Sequence, residues 1–161
     1  MTKALRFFLY LILCLKITGC ALATGKPFTP RFVSIKPNEV NVRVGPGQNY
    51  PTDWVYLKAG IPVEIIAEFD VWRKIRDIEG TEGWVHQSML CSKRHAIVQS
   101  PEAFLYKTPN PASCPLVRLQ KGVFVDLLKC SEEWCQVRIE DIKGWVQRST
   151  LWGIYPKEPI G

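Results

Sequence analysis

Few side chains in this sequence could take part in covalent or acid–base chemistry, and their spacing does not assemble a catalyst. A hydrolase built on a Cys–His or Ser–His pair needs a histidine held beside the nucleophile and a third group that orients the ring. The chain has two histidines. His86 follows Gly83-Trp84-Val85 and stands two residues before Ser88, which reads as a strand end facing water. His95 adjoins Lys93 and Arg94 in a basic linker. Asp77, Glu79 and Glu82 gather at a hairpin, where solvated charge is ordinary and a general acid–base pair is not. Gly45-Pro46-Gly47 is followed by no helical pattern whose N-terminus could hold a phosphate. The chain is therefore expected to be no enzyme and to need no cofactor.

The six cysteines are the other reactive groups, and their chemistry depends on the compartment. Lys3 and Arg6 precede the apolar run Phe7 to Leu15, which has the length of a secretory h-region and is too short to span a bilayer. Residues 1–23 are expected to be a signal peptide, placing the protein in the periplasm or cell envelope. Two processing schemes fit. Cleavage after Ala21-Leu22-Ala23 releases a soluble chain starting at Thr24, whereas Ile17-Thr18-Gly19-Cys20 resembles a lipobox that would acylate Cys20. A lipid on Cys20 is the one route to the membrane, and Lys16 is unusual in either scheme. Cys91, Cys114, Cys130 and Cys135 remain after processing, which suggests two disulfides with three formal pairings. Cys130 and Cys135 flank the turn Ser131-Glu132-Glu133-Trp134 at cross-strand reach, and by elimination Cys91 would join Cys114. A zinc site from Cys91, His95, Cys130 and Cys135 is disfavoured by scattered ligands in an oxidising space, so no metal is expected.

The leader carries Lys3, Arg6 and Lys16 and no acid, so the net charge of +6 becomes +3 on its removal. That mild basic balance suits an anionic envelope and is too weak to indicate nucleic acid.

The elements that hold these groups are written twice. Gly83-Trp84-Val85 recurs as Gly144-Trp145-Val146, 61 positions later. Gly60 and Gly122, Val63 and Val125, Trp72 and Trp134, and Ile75 and Val137 are each 62 apart, so one residue is lost in a turn. A period this constant marks an internal repeat. Each copy reads as short strands with turn signals between them: Glu39 to Val44 alternates, Trp54 to Lys58 follows the loop, and Ile61 to Phe69 is the long central strand. In that strand Ile61, Val63, Ile65 and Ala67 are expected on one face, with Glu64 and Glu68 on the other. Gln87 to Leu90 and Arg148 to Leu151 fit single 3₁₀ turns. The tail from Trp152 to Pro156 is too apolar for a free end, so Trp152, Ile154 and Tyr155 are expected to pack back on the body. The fold class is all-β: two tandem small barrels after the leader.

Asn41-Val42-Arg43-Val44-Gly45-Pro46-Gly47, Tyr50-Pro51, Lys58-Ala59-Gly60, Trp72 and Gly83-Trp84-Val85 together resemble the bacterial SH3-like domain. The second copy keeps Gln120-Lys121-Gly122, Trp134 and Gly144-Trp145-Val146, but has Leu105-Tyr106-Lys107-Thr108 where the opening motif belongs. The resemblance implies a first SH3-like domain over 31–92 and a divergent second over 95–152, with a tail to 161. It implies a binding role, since such domains commonly accompany wall hydrolases and are thought to bind peptidoglycan or its peptides. A shallow face with aromatic rings would suit such a ligand, and the candidates are Asn41, Arg43, Tyr50, Trp54 and Tyr56. Arg43 would suit a wall peptide's carboxylate; a periplasmic protein, including a second copy in an assembly role, is the alternative partner. Trp84 and Trp145 are expected in or at the edge of the cores.

Overall fold

The structure is a computed structural model that describes residues 27–161; the expected leader and Cys20 lie outside the described residues. The first copy contains β1 (Arg31–Ile35), β2 (Val40–Arg43), β3 (Thr52–Tyr56), β4 (Pro62–Phe69), β5 (Trp72–Arg76), β6 (Glu82–His86) and β7 (Leu90–Cys91). The second contains β8 (His95–Val98), β9 (Glu102–Tyr106), β10 (Pro115–Gln120), β11 (Phe124–Cys130), β12 (Trp134–Ile139), β13 (Ile142–Gln147) and β14 (Leu151–Trp152). Their sheets run β3-β2-β6-β5-β4-β1-β7 and β10-β9-β13-β12-β11-β8-β14, the same order twice. The 3₁₀ turns fall at Gln87–Met89 and Arg148–Thr150.

Alternation builds each core. Val40 and Val42 from β2 meet Val63, Ile65, Ile75 and Val85, all buried. Ala103 and Leu105 do the same against Val125, Val137 and Val146. Gly83 lets β6 cross close to β2, because a Cβ there would lie 2.9 Å from Trp54 Cη2 and closer still to Val42. Gly144 repeats the device, with a Cβ only 2.8 Å from the Tyr106 carbonyl oxygen. The glycine and valine of each Gly-Trp-Val therefore face the core and the tryptophan faces outward. The lost residue lies in the hairpin between the Arg76–Glu82 pair and its counterpart, Arg138–Lys143.

One ladder position is cross-linked differently in the two copies. Glu68 pairs with Arg73 across β4 and β5, and their side chains form an ion pair at 3.2 Å. The corresponding pair in β11 and β12 is Cys130–Cys135, joined as a disulfide. The Cys130 and Cys135 sulfurs are thus oxidised and cannot ligate a metal. The second expected disulfide is corrected: Cys91 and Cys114 are free thiols. Cys91 closes the first sheet opposite Ser34, while Cys114 precedes β10, the edge strand at the far side of the second sheet from β14. Thiol titration of unfolded protein should therefore find two of these four cysteines reactive before reduction and four after. Closing so short a loop contributes about 2 kcal/mol, which reduction should remove.

The copies pack on one another through the tail. Phe32 stacks against Trp152 and Tyr155 at 5.0 and 4.7 Å between ring centres. The Tyr155 hydroxyl donates to Glu64 Oε1 at 2.5 Å, and Arg76 holds Glu64 Oε2 at 2.7 Å. Glu64 is buried as a result, although alternation placed it on the outward face of β4. That face is covered by the tail rather than by water. Arg94 and Arg148 fix the tail in turn: Arg94 donates to Glu158 Oε1 and the Gly153 carbonyl, and Arg148 to the carbonyls of Tyr155, Glu158 and Ser131.

His95 is corrected from a linker to a joint. It lies in β8, its Nδ1 2.8 Å from Ser34 Oγ in the first copy and its Nε2 3.2 Å from Asp126 Oδ1. Burial and then Lys93 push its pKa below the ordinary 6.5, against the pull of Asp126. Burial works to raise the carboxyls of Asp126 and Glu158, but the hydrogen bonds from Arg138 and Arg94 hold both below their ordinary values. Acid should therefore weaken the fold in two stages. Between pH 6.5 and the lowered His95 value the unfolded chain binds the extra proton, so stability falls as pH falls. The carboxylate contribution is lost further down, as pH drops through the lowered Asp126 and Glu158 values. His95→Gln should abolish the upper stage of a urea midpoint–pH curve and leave the lower one.

Candidate functional site

The five predicted site residues divide between two faces of the first sheet. Asn41 and Arg43 alternate with buried Val40 and Val42, so they face outward. Arg43 also reaches the following loop, donating from Nη1 to the Tyr50 carbonyl at 2.7 Å. The Tyr50 ring is 47% exposed and lies over Gly45, where a Cβ would come within 2.7 Å of Tyr50 Cγ. The glycines of the Gly-Pro-Gly turn thus make room for a ring displayed at the surface.

Trp54 and Tyr56 lie on the core side of edge strand β3, opposite Val42 and Val40, half-buried against the core. Their rings meet edge to face at 6.2 Å, and the Tyr56 hydroxyl donates to Asp77 Oδ2 at 3.2 Å. Burial, followed by Asp77, pushes the Tyr56 pKa above its ordinary value, so the phenol stays protonated. Both rings form the rim of the core and are separated by the sheet from Asn41 and Arg43.

Sequence reasoning missed Trp84, the cross-strand neighbour of Arg43, and Lys74 on the far side of it. Register sets Arg43 beside Trp84 and Trp84 beside Lys74, a row across β2, β6 and β5. The half-buried indole is flanked by two cations, with Lys74 Nζ 2.6 Å from Glu82 Oε2. The second copy places Tyr106, Trp145 and Gln136 in the same row. Phe104 stands where Asn41 does, and Val117 and Leu119 stand where Trp54 and Tyr56 do. The signal was present in the Gly-Trp-Val pattern, whose central residue must point away from a core that holds its neighbours.

The other chemically capable groups have structural partners. His86 Nδ1 accepts the Ser88 backbone N–H at 3.2 Å and lies 2.7 Å from Ser88 Oγ, capping the 3₁₀ turn. Its ring packs edge-on against Trp72. Asp77 Oδ1 accepts the backbone N–H groups of Glu79 and Thr81 and thereby shapes the hairpin.

Among solved structures similar to the chain are three NlpC and NlpC/P60 proteins, and the chain spans about half the length of each. Structures of NlpC2 and NlpC1 from Trichomonas vaginalis are 16% and 14% identical, with TM-scores of 0.35 and 0.34. The first match covers 77% of this chain and 48% of that one, the second 84% and 50%. An NlpC/P60 family protein from Bacillus cereus is 15% identical at a TM-score of 0.32, over 75% of this chain and 55% of its own. No curated protein matches. The bacterial SH3 domain model matches twice, over residues 36–91 and 99–153, one match for each seven-stranded sheet. The chain belongs to the bacterial SH3 domain family, as a tandem pair.

Proposed function

We propose that this protein is an exported, non-catalytic binding protein whose first barrel takes carboxylate-bearing peptides of the bacterial cell wall. The observation that carries this reading is the row Arg43–Trp84–Lys74 on three adjacent strands. A guanidinium and an ammonium beside a half-buried indole suit a short chain that offers carboxylates and apolar stems. Asn41, one residue pair along β2, and the exposed Tyr50 ring extend the same outer surface. The second barrel has exchanged both cations for Tyr106 and Gln136, which supports assigning the wall contact to the first. Tight structural use of His86 and Asp77 supports a role without catalysis.

Purified mature protein should co-sediment with insoluble peptidoglycan, and an Arg43→Ala, Tyr50→Ala variant should lose most of that binding. It should release no soluble wall fragments during the incubation. Equal sedimentation of the variant would move the site off this face, and released fragments would overturn the non-catalytic part.

A further inference from the structure

A second concavity lies in the other barrel, between the disulfide hairpin, the proline loop and the tail. It encloses about 760 Å³, within the range of small-ligand sites. Trp134, Leu151, Trp152 and Ile154 supply apolar surface, and Pro111 and Pro156 stand on opposite walls. Each wall is held in place. The hairpin Ser131 to Trp134 is closed by Cys130–Cys135. In the proline loop, Asn110 Oδ1 accepts the Ala112 backbone N–H at 2.9 Å. Arg148 ties the tail down through the carbonyls of Tyr155 and Glu158. The cavity is therefore preformed, which lowers the ordering cost of binding.

Its rim carries charges of both signs that have no ion-pair partner among the described residues: Glu132 and Glu133 are exposed on the hairpin wall and Lys157 on the tail wall. Arg148, which also lines the cavity, is only 7% exposed and is engaged by the carbonyls of Tyr155, Glu158 and Ser131, so it forms the floor rather than a contact for a ligand.

We infer that this groove binds a short peptide with an apolar body, whose ammonium group pairs with Glu132 and Glu133 and whose carboxylate pairs with Lys157. The ligand class rests on the reading of the chain as a peptide-binding protein; the site is separate from the Arg43 row, on a wall that exists only because the tail folds back.

The test is a nitrogen–proton correlation titration of the full mature chain, disulfide intact, with Ala-Ala-Lys-Ala-Ala bearing free termini. A second titration uses the same peptide with both amines acetylated and the C-terminus amidated. The free peptide should shift the indole N–H signals of Trp134 and Trp152 and the side-chain amides of Gln99 and Gln147. The blocked peptide should bind about tenfold more weakly, and Glu132→Gln, Glu133→Gln should weaken the free peptide by a similar factor. Equal binding of free and blocked peptides overturns the proposal, as does the absence of groove shifts at millimolar peptide. Shifts confined to the Trp84 indole overturn the groove while supporting the first-barrel site. Groove shifts in a protein that ignores peptidoglycan do the reverse.

Discussion

Replacing Arg148 by alanine is expected to cost about 3–5 kcal/mol of stability, because one guanidinium serves three carbonyls in two separate segments. It donates to Tyr155 and Glu158 in the tail, at 2.7 and 2.9 Å, and to Ser131 in the disulfide hairpin. Alanine would leave the Ser131 and Glu158 carbonyls without this donor, and the Tyr155 carbonyl with only the Glu158 N–H, in a region where Arg148 is itself almost wholly buried. Loss of the tail would then uncover Phe32 and remove the Tyr155 hydroxyl from Glu64. A urea unfolding curve should show the drop in midpoint. Arg148→Lys should recover only part of it, since an ammonium cannot span all three carbonyls in the plane of a guanidinium. Arg118→Ala, on an exposed side chain of β10, should stay within about 0.5 kcal/mol of wild type. Equal midpoints for Arg148→Ala and Arg118→Ala would show that the tail is not a structural clamp.

Gly153→Ala should be the next most damaging change, at about 3 kcal/mol, by a different route. Gly153 has φ 111°, a conformation costly for any residue with a Cβ. The added Cβ would also lie 2.8 Å from the His95 carbonyl oxygen, 3.1 Å from Ala96 Cα and 3.3 Å from Pro62 Cβ. The first two belong to β8 and the third to β4, so the methyl group would wedge the joint between the barrels. Near-UV circular dichroism should lose part of the signal from Phe32, Trp152 and Tyr155 while the far-UV spectrum keeps its β character. Gly122→Ala is the matched control: its φ is 89°, but its Cβ would meet nothing within 4 Å. It should show backbone strain alone, at about 1 kcal/mol. If the two variants were equally stable, packing at the joint would not be what Gly153 serves.

Both predictions turn on the tail, and the tail shows where sequence reading succeeded. Trp152, Ile154 and Tyr155 were too apolar to be free, and they do pack back on the body. The repeat, the core alternation and the 3₁₀ turns were equally legible, because each is a local pattern of period two or a turn residue at a fixed offset. The Cys130–Cys135 bridge was legible for the same reason, being a cross-strand pair about a short turn. Glu64 and His95 were misjudged because their burial comes from the other barrel, and a polar residue buried by a distant element leaves no periodic trace. Elimination failed for Cys91 and Cys114 because it assumes that every thiol must pair, whereas the sheet order keeps these two apart.

The candidate site was half legible. The opening motif located Asn41, Arg43 and Tyr50, but strand residues two apart share a face only within one regular strand. The irregular pairing of β2 with β3 between Val42 and Arg43 hid the fact that Trp54 and Tyr56 belong to the core side. Trp84, which borders Arg43, and Lys74, which borders Trp84, are contributed by strands more than thirty residues away in sequence. Their proximity is a property of the sheet order and could be seen only in three dimensions.

The central functional claim is that the cationic row of the first barrel, and not the fold shared by both, makes the wall contact. The direct measurement is sedimentation with insoluble peptidoglycan of wild type beside an Arg43→Tyr, Lys74→Gln variant, which gives the first barrel the neutral row of the second. Wild type should sediment with the wall, and the variant should stay in solution with an unchanged urea midpoint. A variant that sediments as wild type does, while remaining equally stable, would contradict it.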